Sequence, residues 1–101
     1  MPFAHESEES LSVVLDFLGV RWLYEPTTFG LEWDTEGNMT EGFTPDFLLP
    51  DHGIFLELTT LKQPLTTAKH RKIRKLRERY PGVYVKIIHR KDYLALMRRY
   101  A

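Results

Sequence analysis

Cysteine is absent from the 101 residues of this sequence, which excludes disulfides, thiolate zinc sites and cysteine nucleophiles. Long apolar runs are absent too. None approaches the roughly 18 residues that span a membrane, and no signal-peptide pattern opens the chain. We therefore expect a cytoplasmic protein with no membrane partner. The length and the ordinary apolar content predict one small globular domain over residues 1–101.

Each half of the chain has few charges of one sign, although the formal net charge is zero. Residues 1–60 contain twelve acids and one base, whereas residues 61–101 contain thirteen Lys and Arg and two acids. Such asymmetry indicates either internal neutralisation or an acidic site beside a basic, polyanion-binding surface. Seven of the bases lie in residues 69–79, too many for us to expect neutralisation by neighbouring elements. We therefore favour a nucleic-acid surface over a solvated helix face.

Apolar spacing and turn residues predict alternating helices and strands. The predicted helices cover residues 7–18, 66–80 and 91–100, and the predicted strands cover 20–24, 29–33, 42–49, 54–60 and 83–88. The strand–helix–strand step between the last two strands favours a parallel, right-handed crossover. We therefore expect an α/β fold in which helices flank both faces of a single mixed β-sheet.

Two acids lie within these apolar strands, Asp46 in TPDFLLP and Glu57 in GIFLELT. Successive strand side chains face opposite ways, so Glu57 shares a face with Phe55 and Thr59. An unpaired carboxylate in a buried strand costs several kcal/mol, so Glu57 must be neutral, paired or hydrogen-bonded. Asp46 lies on the preceding strand, which turns tightly into that of Glu57. Adjacent strands thus offer two carboxylates to one spot, as in divalent-metal sites.

The Pro45-Asp46 step, the ten residues after it and Glu57-Leu58-Thr59 resemble the motif of the PD-(D/E)XK nuclease superfamily. The flanking segments WLYEP and FTPDFLLP resemble small members in which a similar pattern leads into the motif. The resemblance covers most of the chain, from the first helix to the strand at 83–88. It implies a restriction-endonuclease-like αβββαβ core, a Mg²⁺ cofactor that Mn²⁺ can replace, and hydrolysis of DNA.

The resemblance also implies roles for particular residues. Asp46 and Glu57 match the two metal-binding acids. The first helix of such nucleases often supplies a third acid, for which we select Glu8 because it lies on the inward stripe, with Glu9 as the alternative. The third motif residue is normally a lysine that positions the attacking water and offsets phosphate charge. Here it is Thr59, which can donate a hydrogen bond but carries no charge.

Two lysines are candidates to replace the missing one. Lys62 lies just beyond the strand end, and Lys69 lies on the predicted crossover helix, where either side chain could reach the site. Gln63 could orient phosphate or water. The same helix carries the residues predicted to bind the nucleic-acid backbone, which are Lys69, His70, Arg71, Lys72, Arg74, Lys75 and Arg77. Affinity that depends on such phosphate contacts should fall steeply with salt.

Each assignment has a structural alternative. Asp46 could be a turn or capping residue, Glu57 could form a structural salt bridge, Glu8 could be a first-turn carboxylate favoured by the helix dipole, and Lys62 could be an exposed loop base. The predicted function is a Mg²⁺-dependent DNA endonuclease. The alternative is a degenerate nuclease-fold module that binds nucleic acid or a protein partner without cutting. No organic cofactor is predicted, and a homodimer would suit cleavage of both strands.

Overall fold

Three helices and six strands form the part of the chain that this computed structural model describes, residues 3–59 and 66–100. In chain order the elements are α1 (Glu6–Phe17), β1 (Leu23–Tyr24), β2 (Phe29–Trp33), β3 (Met39–Phe43), β4 (Phe47–Leu49), β5 (Ile54–Leu58), α2 (Thr67–Arg79), β6 (Tyr84–Ile88) and α3 (Arg90–Tyr100). The α/β class is confirmed. None of the helices in these ranges has the length and apolar character needed to cross a bilayer.

The main sheet has four strands in the order β1-β4-β5-β6. β4 pairs antiparallel with both β1 and β5, and β5 pairs parallel with β6. The predicted parallel step from Ile54 to Ile88 is therefore confirmed, with α2 between the two strands. A mixed sheet results, in which β6 is an edge strand.

The strands β2 and β3 form a separate two-stranded hairpin, so the expectation of one single sheet is wrong. The predicted strand over 42–49 is interrupted at 44–46, and its two parts belong to different sheets. The physical reason is Pro45, which has no N–H for a ladder and restricts the backbone of the residue before it. The Glu25 N–H donates to the Asp46 carbonyl at 2.8 Å, which closes the base of the intervening segment.

Each face of the main sheet is covered by its own hydrophobic cluster. On one face Leu56 and Leu58 of β5 pack with Phe47 and with Leu11 and Leu15 of α1. On the other face Ile73 and Leu76 of α2 pack with Leu31 and Phe43 of the hairpin, Val85 of β6 and the partly buried Phe55. The predicted alternation along β5 is thus confirmed, and Glu57 lies on the α2 face.

Local signals fix the helix ends close to their predicted positions. Gly19, at φ 72°, follows α1, in the left-handed region that glycine adopts without strain. At the start of α2 the Thr66 hydroxyl accepts a hydrogen bond from the Lys69 N–H at 3.0 Å, which satisfies a backbone donor that the helix itself cannot. This cap holds the first turn of α2, and with it Lys69, beyond the carboxyl end of β5.

Candidate active site

The two predicted acids, Asp46 and Glu57, lie side by side where β4 begins and β5 ends, on the two central strands of the main sheet. In the antiparallel pairing of β4 and β5, Phe47 lies opposite Leu56. Asp46 precedes Phe47 and Glu57 follows Leu56, so these two acids are neighbours across the strands. The Asp46 N–H donates to Glu57 Oε1 at 3.1 Å, and the Leu58 N–H donates to Asp46 Oδ2 at 2.8 Å. The two residues are only 6% and 4% exposed. We call Asp46 and Glu57 the acid pair.

The acid pair is unfavourable as two bare charges. Burial, followed by the nearby charge of Glu57, raises the pKa of Asp46 to about 8, against the opposing effect of the Leu58 hydrogen bond. Burial also raises the pKa of Glu57, although the Lys69 ammonium opposes that shift. A nearby cation favours the ionised form of carboxyl groups whose pKa is raised in this way. Perturbed carboxyls of this kind cluster at functional sites.

Lys69 supplies the cation that contacts the acid pair. Its Nζ lies 2.8 Å from Glu57 Oε2, and its side chain is 22% exposed. Lys69 was one of two predicted replacements for the absent motif lysine. The other, Lys62, lies outside the described residues, as does Gln63. Of the two candidate lysines, Lys69 is the one whose position relative to the acids is known.

Glu8 is buried on α1, at 1% exposure, as its place on the inward stripe predicts. Its Oε1 accepts hydrogen bonds from the Tyr24 hydroxyl at 2.5 Å and from the Ala4 N–H at 3.2 Å. The Glu8 charge also contributes to the raised pKa of Asp46, so the carboxylate lies within electrostatic reach of the acid pair. Glu8 is therefore a buried carboxylate held by two donors and not a solvated first-turn acid.

No sequence pattern assigns a role to Tyr24, although it lies in the segment WLYEP that carries the family resemblance. Tyr24 pairs with Phe47 in the antiparallel ladder of β1 and β4, one residue from Asp46. Burial, together with the hydrogen bond to Glu8, raises the pKa of the Tyr24 phenol. The phenol therefore stays a hydrogen-bond donor at physiological pH. We infer that Tyr24 orients the Glu8 carboxylate.

Thr59, at the motif position that is normally a lysine, is 5% exposed. Its hydroxyl donates to the Ile88 carbonyl at 3.3 Å, and its N–H donates to the same oxygen at 2.9 Å. Both donors of this residue are therefore directed at β6, and they extend the pairing of β5 and β6 by one residue. In this arrangement the hydroxyl proton does not point to the acid pair.

Two of the predicted backbone-binding bases of α2, Arg71 and Lys75, are paired with acids of the hairpin, as is Arg79. Arg71 contacts Glu41 at 2.6 Å and lowers the pKa of that carboxyl to about 2. Lys75 contacts Glu32 at 2.6 Å and Glu41 at 3.2 Å, and Arg79 contacts Glu32 at 3.6 Å. The expectation that neighbouring elements could not neutralise this helix is therefore wrong for these three bases. The two charged halves of the sequence partly neutralise each other.

The remaining predicted bases of α2 differ in their contacts. Lys72 Nζ donates to the Gly42 carbonyl of the hairpin at 3.2 Å. Arg77 donates to the Val85 carbonyl of β6 at 3.1 Å. Arg74 is exposed and makes no hydrogen bond or ion pair with any residue in the described ranges. Within residues 3–59 and 66–100, none of these three bases is therefore paired with an acid.

The donor set of the acid pair suits a hard divalent cation. Carboxylate oxygens are preferred by Mg²⁺, which is commonly bound by one or two carboxylates together with waters and substrate phosphate. Among residues 3–59 and 66–100, no group of three or more His, Cys, Asp or Glu side chains is arranged to hold a metal ion. Metal binding by Asp46 and Glu57, with Glu8 as a third ligand, stays a prediction.

Comparisons with known proteins give no match: no protein family, curated protein or solved structure corresponds to this chain. Membership of the PD-(D/E)XK superfamily therefore stays a prediction. It rests on the residues from Pro45 to Thr59 and on the resemblance of the segments around them.

Proposed function

We propose that this chain is a Mg²⁺-dependent endonuclease that hydrolyses phosphodiester bonds in DNA. The observation that carries the proposal is the acid pair, two buried carboxyl groups from adjacent strands, with the Lys69 ammonium 2.8 Å from one of them. Neither the hydrophobic clusters nor the strand pairing requires two acids at this position. Carboxyl groups that destabilise the fold in this way are expected where a function needs them.

The architecture supports the same proposal. Without the hairpin, the elements from α1 to β6 follow the order helix, three strands, helix, strand. This order agrees with the αβββαβ core that the family resemblance implies. The acid pair lies just before β4 and near the end of β5, the two central strands of that sheet. The family resemblance predicts the two motif acids at these positions. The hairpin is then an insertion between the first two strands of the core.

Asp46 and Glu57 would hold the metal ion. When bound, Mg²⁺ would polarise the phosphoryl oxygens and make a coordinated water more acidic. The Leu58 N–H holds the Asp46 carboxylate, and the Asp46 N–H holds that of Glu57. The carboxylate oxygens would therefore be oriented before the substrate binds. Such fixed groups need little reorganisation during the reaction.

Lys69 would take the part of the missing motif lysine. Its ammonium has three donors, and the contact with Glu57 uses one of them. A donor left over can hold the attacking water or offset the negative charge that develops on the phosphate. Glu8, oriented by the phenol of Tyr24, would accept a hydrogen bond from a water near the acid pair.

A second candidate function is a nuclease-fold module that binds nucleic acid or a protein without cutting. Two observations favour it. Thr59 replaces the motif lysine and directs its hydroxyl at β6. The ion pair between Lys69 and Glu57 has the geometry of a structural salt bridge as well. The two functions share the acid pair and differ in cleavage.

Cleavage of a panel of labelled DNAs tests the proposal. Duplex, single-stranded, flap and four-way-junction substrates would be incubated with Mg²⁺, Mn²⁺ or EDTA and the wild type, Glu57→Gln or Lys69→Met. The matched control is Glu32→Gln, which also removes a glutamate charge from a lysine ion pair, but on the hairpin.

We expect metal-dependent cutting by the wild type and by Glu32→Gln. Glu57→Gln should lose it, and Lys69→Met should lose it while still binding DNA. No cutting by the wild type with any metal would reject the nuclease proposal in favour of the non-cutting module. Full activity in Lys69→Met would remove Lys69 from the mechanism and direct attention to Lys62.

A further inference from the structure

The basic helix α2 sends its charged side chains to three different sides. Lys69 reaches the acid pair, and Arg71, Lys75 and Arg79 reach the carboxylates of the hairpin. The third side faces the edge strand β6, and it carries His70, Arg74 and Arg77. This distribution of side chains does not favour phosphate binding along the whole length of α2.

A cleft of about 490 Å³ lies between this third side of α2 and β6. Ile73 and Ile87 contribute apolar surface, and the polar lining consists of His70, Arg74, Arg77, His89 and one acid, Glu78. Within the described residues Arg74 has no ion pair, and Arg77 donates to a carbonyl rather than to a carboxylate. Both guanidinium charges are thus open to an anionic ligand. On the hairpin side of α2, Arg71, Lys75 and Arg79 already face acids, and Lys72 donates to the Gly42 carbonyl.

One end of the cleft is marked by His70 and His89. His70 follows Lys69, whose ammonium contacts Glu57. On the opposite wall His89 follows Ile88, whose carbonyl accepts the N–H of Thr59, two residues beyond Glu57. Both histidines therefore lie near the carboxyl ends of β5 and β6, where the acids are. Arg74 and Arg77 lie one to two helical turns further along the cleft.

We infer that this cleft, with Arg74 and Arg77 as its main phosphate contacts, binds the DNA backbone and leads it to the acid pair. The identity of the ligand rests on the proposed function, and the location rests on the charge and the position of the cleft. Guanidinium groups donate to phosphate oxygens in paired, planar geometry. The apolar wall suits the sugar face of a strand. Contacts of this kind position a nucleic acid without reading its sequence.

The test compares two charge reversals, Arg74→Glu in the cleft and Lys86→Glu on β6. Lys86 is exposed, and its side chain lies on the opposite face of the sheet from Val85 and Ile87. Both variants change the net charge equally. Binding of labelled duplex and single-stranded DNA would be measured by fluorescence anisotropy in EDTA, between about 50 and 200 mM salt, the range in which phosphate contacts dominate.

We expect Arg74→Glu to weaken binding about tenfold or more, the loss that one charge-assisted hydrogen bond predicts. It should also lower the slope of log K against log salt by about one. Lys86→Glu should leave the slope unchanged. Melting curves check that both variants fold. If Arg74→Glu unfolds the protein, Arg74→Gln replaces it in the test, and we then expect a smaller loss of DNA affinity.

Equal losses in Arg74→Glu and Lys86→Glu would overturn the inference, because net charge alone would then explain binding. So would a wild type that binds no DNA, or a loss in Arg71→Gln/Lys75→Gln as large as in the cleft variant. The outcomes separate this inference from the proposed function. If the wild type binds DNA but never cuts it, and Arg74→Glu selectively loses that binding, the cleft would be supported and the nuclease proposal rejected.

Discussion

Replacement of Asp46 by asparagine should stabilise the protein at alkaline pH in the absence of metal. The carboxyl is buried beside Glu57, and its pKa is raised to about 8. In the unfolded chain it titrates near the ordinary value of about 3.9. Between these two pKa values the folded protein therefore holds one more proton than the unfolded chain. Asparagine keeps the shape and an acceptor for the Leu58 N–H, and it has no charge to bury.

The size of the effect follows from proton linkage. An acid whose folded pKa lies above its unfolded value favours folding at low pH, and it loses that contribution as pH rises toward the folded pKa. While the folded state holds one extra proton, each pH unit lowers the free energy of unfolding by about 1.4 kcal/mol. Between pH 5 and pH 8 the accumulated cost is on the order of 4 kcal/mol. Asp46→Asn does not incur this cost, so its advantage over the wild type should grow across that range.

Urea unfolding of both proteins in EDTA, at intervals from pH 5 to pH 9, measures this difference. We expect similar free energies of unfolding near pH 5 and a clear advantage for Asp46→Asn at pH 8. Asp34→Asn is the control of opposite sign, because hydrogen bonds led by the Asn38 N–H lower the pKa of Asp34. Loss of that carboxylate should destabilise the protein at neutral pH.

A difference between wild type and Asp46→Asn that does not change with pH would refute the reasoning. So would an asparagine variant that is less stable at every pH. Either result would mean that Asp46 is ionised and fully satisfied in the fold, as in an ordinary structural hydrogen-bonding role. The raised pKa of Asp46 would then no longer support the acid pair as a cation-binding site.

Two further predictions concern the same site. Mn²⁺ should raise the melting temperature of the wild type, because a ligand of the native state stabilises it; it should not do so for Asp46→Asn/Glu57→Gln, and an equal rise in that variant would exclude the acid pair as the metal site. Tyr24→Phe removes the phenol that donates to buried Glu8 and should cost about 1–3 kcal/mol in urea unfolding. Tyr84→Phe, at an exposed tyrosine, should cost almost nothing, and equal effects would contradict a special role for Tyr24.

The sequence predicted those parts of the fold that depend on local pattern. The strict alternation along β5 separated Leu56 and Leu58 from Glu57, and the structure places them on opposite faces as expected. The helical spacing of α1 likewise brought Glu8 to the buried side. The proximity of Asp46 and Glu57 followed from two apolar strands joined by a tight turn. These inferences needed no knowledge of distant contacts.

Features that depend on contacts between distant segments were not predictable in this way. Pro45 signals a break in a strand, but it does not tell which sheet receives the part before it, so the hairpin was assigned to the main sheet. The ion pairs Arg71–Glu41 and Lys75–Glu32 join residues that are 30 and 43 positions apart in the chain. Charge counts cannot reveal such partners. Tyr24 and Glu8 meet for the same reason, through tertiary packing.

The hydrogen bond between the Glu25 N–H and the Asp46 carbonyl has a consequence for how this fold tolerates change. It ties together the two ends of the segment that contains the hairpin, so the position of Asp46 is set at the base of that segment and not at its tip. The turn at 34–38 lies far along the chain from both ends. An insertion there would lengthen an exposed arm while the spacing of the two carboxylates stayed the same. The turn at 34–38, and not the hairpin strands that pack on α2, is therefore where a designer could vary length without moving the acids.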